Sequence, residues 1–333
     1  TFVACCVIST AINGIADPKE TLLFAISLAA YPAGRLYPSG SVGPSFIWTT
    51  ATVVVVGSII TLIALFRWYD PNGKPLVFGE FGAAPPQFTI SLALLLFALA
   101  SVRLTTRQVL GVAALIIAPV GVFAAAMVRF AFVAMTLALG IGGIVAAPQT
   151  VRRNVAILIV TLAAAVVGGL LMRSTTTARF VGLEIDALKP LPTLTSCAAD
   201  DFGKNTITIR RHLFREAIGL LPTAGLFGIG LDRFMEHSCM TEQHEVHISL
   251  LQAFVEFGWL GGAALALLVI LSGWSLLKSS ESETTPETRF ALCGLMFSLM
   301  MTMAHGRLSR DGMLFLFLGY AAGIGARGWF GRA

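Results

Sequence analysis

The chain has 333 residues, of which 56% are hydrophobic and only 12% charged, with a formal net charge of +5. A soluble domain carries about 25% charged residues, so a mean hydropathy of +0.81 excludes an ordinary water-soluble fold and makes hydrocarbon the main solvent. The excess of Lys and Arg then reads as a bias toward cytoplasmic loops before it reads as a nucleic-acid surface.

Apolar runs near the length that crosses ~30 Å of hydrocarbon as a helix recur about ten times along the chain. In order they cover 2–13, 22–33, 45–66, 88–102, 109–127, 130–147, 156–172, 257–277, 290–304 and 313–326. Placing the loop of Arg103 and Arg107 in the cytoplasm also places there the Arg152/Arg153 turn, the 278–289 loop and the Arg327/Arg332 tail. The one long hydrophilic segment, 173–256, therefore lies outside the cytoplasm. The predicted fold is an all-α polytopic membrane protein in three parts: N-terminal transmembrane helices over 1–172, a large outer loop containing helices over 173–256, and C-terminal transmembrane helices over 257–333.

Between the third and fourth runs, residues 67–87 contain DPNGKP and GAAPP and predict an irregular outer loop. Arg129 then interrupts FAAAMVRFAFVAM on the outer side. A guanidinium next to hydrocarbon costs a few kcal/mol and is a functional candidate by default, with a snorkelling interfacial residue as the plain alternative. Within the long loop, ITIRRHLFREAIGLLP reads as one amphipathic helix. Ile209, Leu213, Ala217 and Leu220 recur at helical spacing, and Pro222 marks the end. Its basic residues Arg210, Arg211 and Arg215 could clamp an anion or lie on headgroups. Gly225, Gly228 and Gly230 follow, where the backbone can turn sharply or approach another surface closely.

The tract HSCMTEQHEVH comes next, and then the apolar run from Phe257, flanked by Trp259 and Trp274 in the manner of two aromatic belts. A helix continued backward from Phe257 would lift His247 about 15 Å above the lipid boundary. The later loop KSSESETTPETR reads as solvated, and Arg307 and Arg310 in HGRLSRDG read as interface anchors. Cys5, Cys6 and Cys293 sit in apolar runs as small hydrophobes. Cys197 and Cys239 are the pair in the outer segment, and an oxidising compartment predicts a disulfide between them.

His237, Cys239, His244 and His247 are all suitable zinc ligands, but their spacing is not that of the H-E-x-x-H helix, and a polar loop with ordinary surface histidines stands beside the metal reading. Neutral imidazole has another use at a membrane edge: it can take the proton of a sugar hydroxyl and so activate it as a nucleophile. A lipid diphosphate leaving group would then need arginine, whose guanidinium is permanently charged and multidentate.

The order Arg210, Phe214, Arg215, Pro222, Gly228, Gly230, His247, Leu251, Gln252, Glu256, Gly258 resembles the O-antigen ligase/polymerase family of bacterial membrane glycosyltransferases. Weaker echoes are FGEFGAAPPQFTISLAL and VRFAF. The pattern departs at Ile248, Phe214, Val128 and Phe130. The resemblance implies a GT-C-like bundle in the bacterial inner membrane, with a site facing the periplasm, and a transferase without metal or cofactor. It implies undecaprenyl diphosphate-linked glycan as donor and, in ligases, a lipid A core sugar as acceptor. In polymerases the acceptor is a growing lipid-linked glycan. The roles it implies are His247 as base or orienter of the acceptor hydroxyl, Arg210 as main diphosphate clamp, Arg129 as second clamp, and Arg211 and Arg215 as auxiliaries. It also implies about twelve spans in the family, so a chain that begins at Thr1 inside an apolar run fits a missing N-terminal hairpin. The competitor from another class is a transporter or flippase for lipid-linked sugars, which inverted repeats would favour. Membrane lipids are partners in every reading, and nucleic acid in none.

Overall fold

The computed structural model describes residues 1–37, 42–69, 74–102, 104–126, 128–145, 149–187, 206–239, 246–282 and 285–330. Among them the structure is all-α, with two isolated β-bridges and no strand. The helices are α1 (Phe2–Asn13), α2 (Pro18–Leu36), α3 (Pro44–Arg67), α4 (Ala84–Ser101), α5 (Thr106–Ala125), α6 (Arg129–Val145), α7 (Gln149–Met172) and α8 (Ser174–Ala187). They continue with α9 (Thr206–Leu220), α10 (Phe234–His237), α11 (Ser249–Glu256), α12 (Gly258–Ser282), α13 (Pro286–His305) and α14 (Gly312–Phe330), with a 3₁₀ turn over Leu308–Arg310.

Among the described residues, each apolar run predicted above lies mainly on a helix. Five stretches among the described residues, Pro44–Arg67, Ala84–Ser101, Thr106–Ala125, Val151–Met172 and Gly258–Ser279, are long and apolar enough to cross a membrane. Phe2–Asn13, Arg129–Gly143 and Gly312–Ala326 are shorter apolar helices. Trp48, Phe66, Leu115, Val160 and Ile270 are exposed on these helices. Water would penalise such faces and hydrocarbon does not, which marks the chain as a helical membrane protein.

The chain divides into two compact units that are not consecutive in sequence. One comprises Thr1–Leu36, Val181–Trp274 and Ser298–Gly323; the other comprises Tyr37–Phe180, Ser275–Phe297 and Ile324–Ala333. In the second unit, α3 begins on Pro44 at its first turn, where the missing N–H loses no bond, and α5 begins on a capping box between Thr105 and Gln108. Its helices pack through small residues: a Cβ added to Gly169 on α7 would stand 2.3 Å from the Gly121 carbonyl oxygen on α5. The polar 278–289 stretch departs from the expected solvated loop. Helix α12 runs through Ser282 and α13 starts at Pro286, and Arg289 is buried, donating to the Ser101 carbonyl. An unpaired α4 carbonyl would be costly to bury, so a buried guanidinium satisfies it.

The first unit has an aromatic centre. Phe24 stacks on Phe257 at 5.2 Å, Phe2 stacks on Phe315 at 6.1 Å, and the two pairs meet edge to face. Around it the 3₁₀ turn lies against α2 and α11, and α9 and α10 lie against α11.

Candidate functional site

Helix α9 is amphipathic as predicted. Leu213 and Ala217 are fully buried with Phe234, Val246 and Val255, and Ile209, Leu220, Ile248, Leu251 and Cys239 pack around them. This core sets the three arginines of α9 apart from one another. At 100° per residue, Arg210 borders the face defined by Leu213 and Ala217, whereas Arg215 falls on the opposite side. Arg210 is half-buried and burial lowers its pKa; Arg211 is half-buried and Arg215 exposed, beside exposed Phe214. The three arginines therefore do not form one cluster. Arg129 opens α6 in the other unit.

His212, which sequence reasoning passed over, is buried within α9. Burial, and then the charge of Arg215, depress its pKa, with Glu216 opposing, so the ring is neutral at neutral pH. Its place two residues from Arg210 on a helix with a dry face was the available signal.

His247 does not lie on a helix continued from Phe257. Helix α11 stops at Glu256, and Gly258 has φ +74°, in the left-handed region. The break has a local cause in the glycine loop. A Cβ on Gly228 would stand 2.3 Å from the Glu256 carbonyl, and one on Gly258 would stand 2.4 Å from the Gly228 nitrogen. Only glycine permits that approach. The two strips are then joined by backbone hydrogen bonds: Ile229 N–H donates to Val255 O at 3.1 Å, Gly230 to Glu256 O at 2.9 Å, and Trp259 to Gly225 O at 3.0 Å. Ser9 Oγ also donates to the Glu256 carbonyl, at 3.0 Å. Gly228, Gly230, Glu256 and Gly258 thus assemble one junction.

His247 precedes α11, about two helical turns before that junction, with φ +56°. A left-handed backbone in a non-glycine residue costs about 1–3 kcal/mol and persists only where its surroundings hold it. Val246 and Ile248 on either side enter the α9 core, which leaves the half-buried imidazole between two anchored neighbours. Downstream, Ser249 Oγ donates to the Asp311 carboxylate. Gln252 accepts the Leu308 N–H at 2.9 Å and donates to Glu256 Oε1 at 3.1 Å.

Arg307 and Arg310 are not the simple interface anchors expected from sequence. Glu20 is 2% exposed and accepts from Ser309 Oγ at 2.6 Å and Arg310 Nη2 at 2.6 Å, with Arg307 Nε at 3.2 Å. Arg307 also reaches Asp232 at 3.0 Å. Burial raises the Glu20 pKa, but the bonds from Arg310 and Ser309 and the two guanidinium charges outweigh it, leaving the pKa below the ordinary value. Burial keeps Asp232 above its ordinary value against the pull of Arg307.

Beside Ile248 lies an apolar cavity of ≈ 290 Å³, lined also by Leu251, Phe254, Val269, Leu299 and Met303. Among the described residues, no group of three or more His, Cys, Asp or Glu is placed to hold a metal ion. Cys239 is disulfide-bonded and so offers no thiolate; Cys197 and His244 lie outside the described residues. No protein-family model matches the sequence, and no curated protein matches it.

Proposed function

We propose that the protein is a metal-independent membrane glycosyltransferase of the O-antigen ligase/polymerase kind. It moves a glycan from undecaprenyl diphosphate to an acceptor hydroxyl at the periplasmic face of the bacterial inner membrane, the acceptor being a lipid A core sugar. The supporting observation is that Ile209, next to Arg210, and Val246 and Ile248, on either side of His247, enter the same small core with Leu213, Ala217, Phe234 and Val255. Ten membrane crossings, with 173–256 on the periplasmic side, are part of this reading.

In the reaction, the His247 imidazole takes the proton of the acceptor hydroxyl. The acceptor oxygen bonds to the anomeric carbon as the bond from that carbon to the diphosphate breaks, and the electron pair leaves with the diphosphate. Arg210 meets the charge that develops there, with half-buried Arg211 beside it in the chain as a weaker contributor and exposed Arg215 weaker still. The cavity beside Ile248 suits a hydrocarbon chain, and an isoprenyl carrier brings one that begins directly at the diphosphate. The disulfide of Cys239 suits an oxidising compartment.

Transfer from an undecaprenyl diphosphate-linked glycan, assayed in lipid nanodiscs, tests this. His247→Ala is expected to lose at least about 100-fold in kcat with normal membrane accumulation. Arg210→Lys is expected to be severely impaired although it keeps the charge, because an ammonium lacks the planar fork. Near-normal transfer by His247→Ala would remove the base.

A further inference from the structure

We propose that Glu20 is a positioning residue for the His247 turn, holding the 307–311 segment on which the downstream anchors of that turn end; this rests on the reading of His247 as the base. The left-handed conformation of His247 must be maintained from outside. On its N-terminal side and at Ile248 the α9 core does this. On its C-terminal side two polar bonds follow, Ser249 to Asp311 and Leu308 N–H to Gln252. Both partners belong to a segment whose only regular structure is the three-residue turn Leu308–Arg310.

Such a short turn does not hold itself in place. Three side chains of the 307–311 segment, those of Arg307, Ser309 and Arg310, converge on the single carboxylate of Glu20. Ser27, on the same helix as Glu20, adds a bond to the Ser309 carbonyl at 2.9 Å. Helix α2 thereby reaches the histidine through one intermediate segment, and Glu20 is the residue on which most of that attachment depends. Removing its charge leaves Arg307 with Asp232 alone of these two acidic partners and frees the stretch to which Ser249 and Gln252 are tied. The catalytic group would then remain present but loosely aimed.

The test follows glycan transfer and amide hydrogen exchange on the full chain in nanodiscs. Glu20→Gln preserves size and removes the charge. It is expected to lower kcat by about 100-fold, the scale of a misplacement of about 1 Å, while the donor KM changes less than about threefold. Exchange should quicken in 246–252 and 307–311 and stay unchanged in α5 and α7, and Glu20→Asp should recover part of both. In the His247→Ala background, Glu20→Gln should lower the residual rate no further, because residues acting through one group are non-additive. Equal fold losses in both backgrounds, or unchanged exchange at 246–252, would overturn the proposal. Should Glu20→Gln fail to accumulate, Ser309→Ala removes one of the three donors and is expected to show the same exchange pattern more weakly; no change there also overturns it. Wild-type transfer by His247→Ala would defeat the base assignment instead, and the exchange data would still decide whether Glu20 holds the turn.

Discussion

Three buried hydroxyls in α3 and α4 of the second unit, those of Thr50, Thr89 and Ser101, bond to their own helix. Thr50 returns to the Phe46 carbonyl at 2.8 Å, Thr89 to Pro85 at 2.8 Å and Ser101 to Phe97 at 2.6 Å. Around the candidate site in the first unit the pattern is the opposite: Ser9 bonds to Glu256, Ser27 and Glu20 to the 307–311 stretch, and Gln252 to Leu308. A hydroxyl that bonds to its own helix asks nothing of its neighbours. A polar group that bonds across elements demands one geometry, since leaving a buried partner unmade costs about 1–3 kcal/mol. Long-range polar bonding therefore marks where this protein specifies position as well as burial.

The contrast is broken most severely at Gly228. Gly228→Ala forces a positive φ and a backbone clash, each costing about 1–3 kcal/mol, and is expected to abolish accumulation of folded protein in detergent. Gly140→Ala on α6, where a Cβ meets nothing within 4 Å, should be neutral or stabilising by up to about 1 kcal/mol. Equal losses at the two positions would break the comparison.

Gln252→Leu comes next, because it removes both the acceptor of the Leu308 N–H and the donor to Glu256 Oε1. A loss of about 2–3 kcal/mol in reversible unfolding is expected, against about 1 kcal/mol or less for Thr50→Ala.

Asp311 sharpens the comparison through pH. Burial pushes its carboxyl up to about 7, with the Ser249 bond opposing. The folded state then keeps a proton that the unfolded chain releases near pH ~4. This contribution to stability is complete below that pH and is lost as pH rises to about 7. Melting curves should show the wild type declining over that window by about a few degrees more than Asp311→Asn. The smallest effect belongs to Arg215→Ala, on the exposed face of α9, which should change stability by no more than about 0.5 kcal/mol and reduce transfer less than Arg210→Lys does.

Much of this was legible before any coordinates. The apolar runs gave the helices, and the spacing of Ile209, Leu213, Ala217 and Leu220 gave α9 and its buried face. The order of glycines, His247, Gln252 and Glu256 pointed to one region; Gly228, Gly230, Glu256 and Gly258 assemble the junction, while His247 lies before α11, outside it. Continuing a helix backward from Phe257 fails, because the break at Gly258 depends on a second glycine 30 positions earlier, Gly228, which no local pattern reveals. Arg289 was read as solvated because its neighbours are polar, although its partner is the distant Ser101 carbonyl. Glu20 carried no signal at all: one acid near a helix start looks like a dipole complement, and its arginines lie at the other end of the chain.

Sequence alone determined the solvent of this protein, its helices and the face that each amphipathic stretch buries. These properties sum over residues within a few turns, and transfer from water to hydrocarbon is additive and non-directional. Tertiary structure decided which arginine borders the core, why the backbone at His247 turns left-handed, and that α2 holds the segment behind it. Hydrogen bonds and close backbone approaches are directional and short in range, so they exist only between groups that the fold has already brought together, as with Ser9 and Glu256, separated by 247 positions.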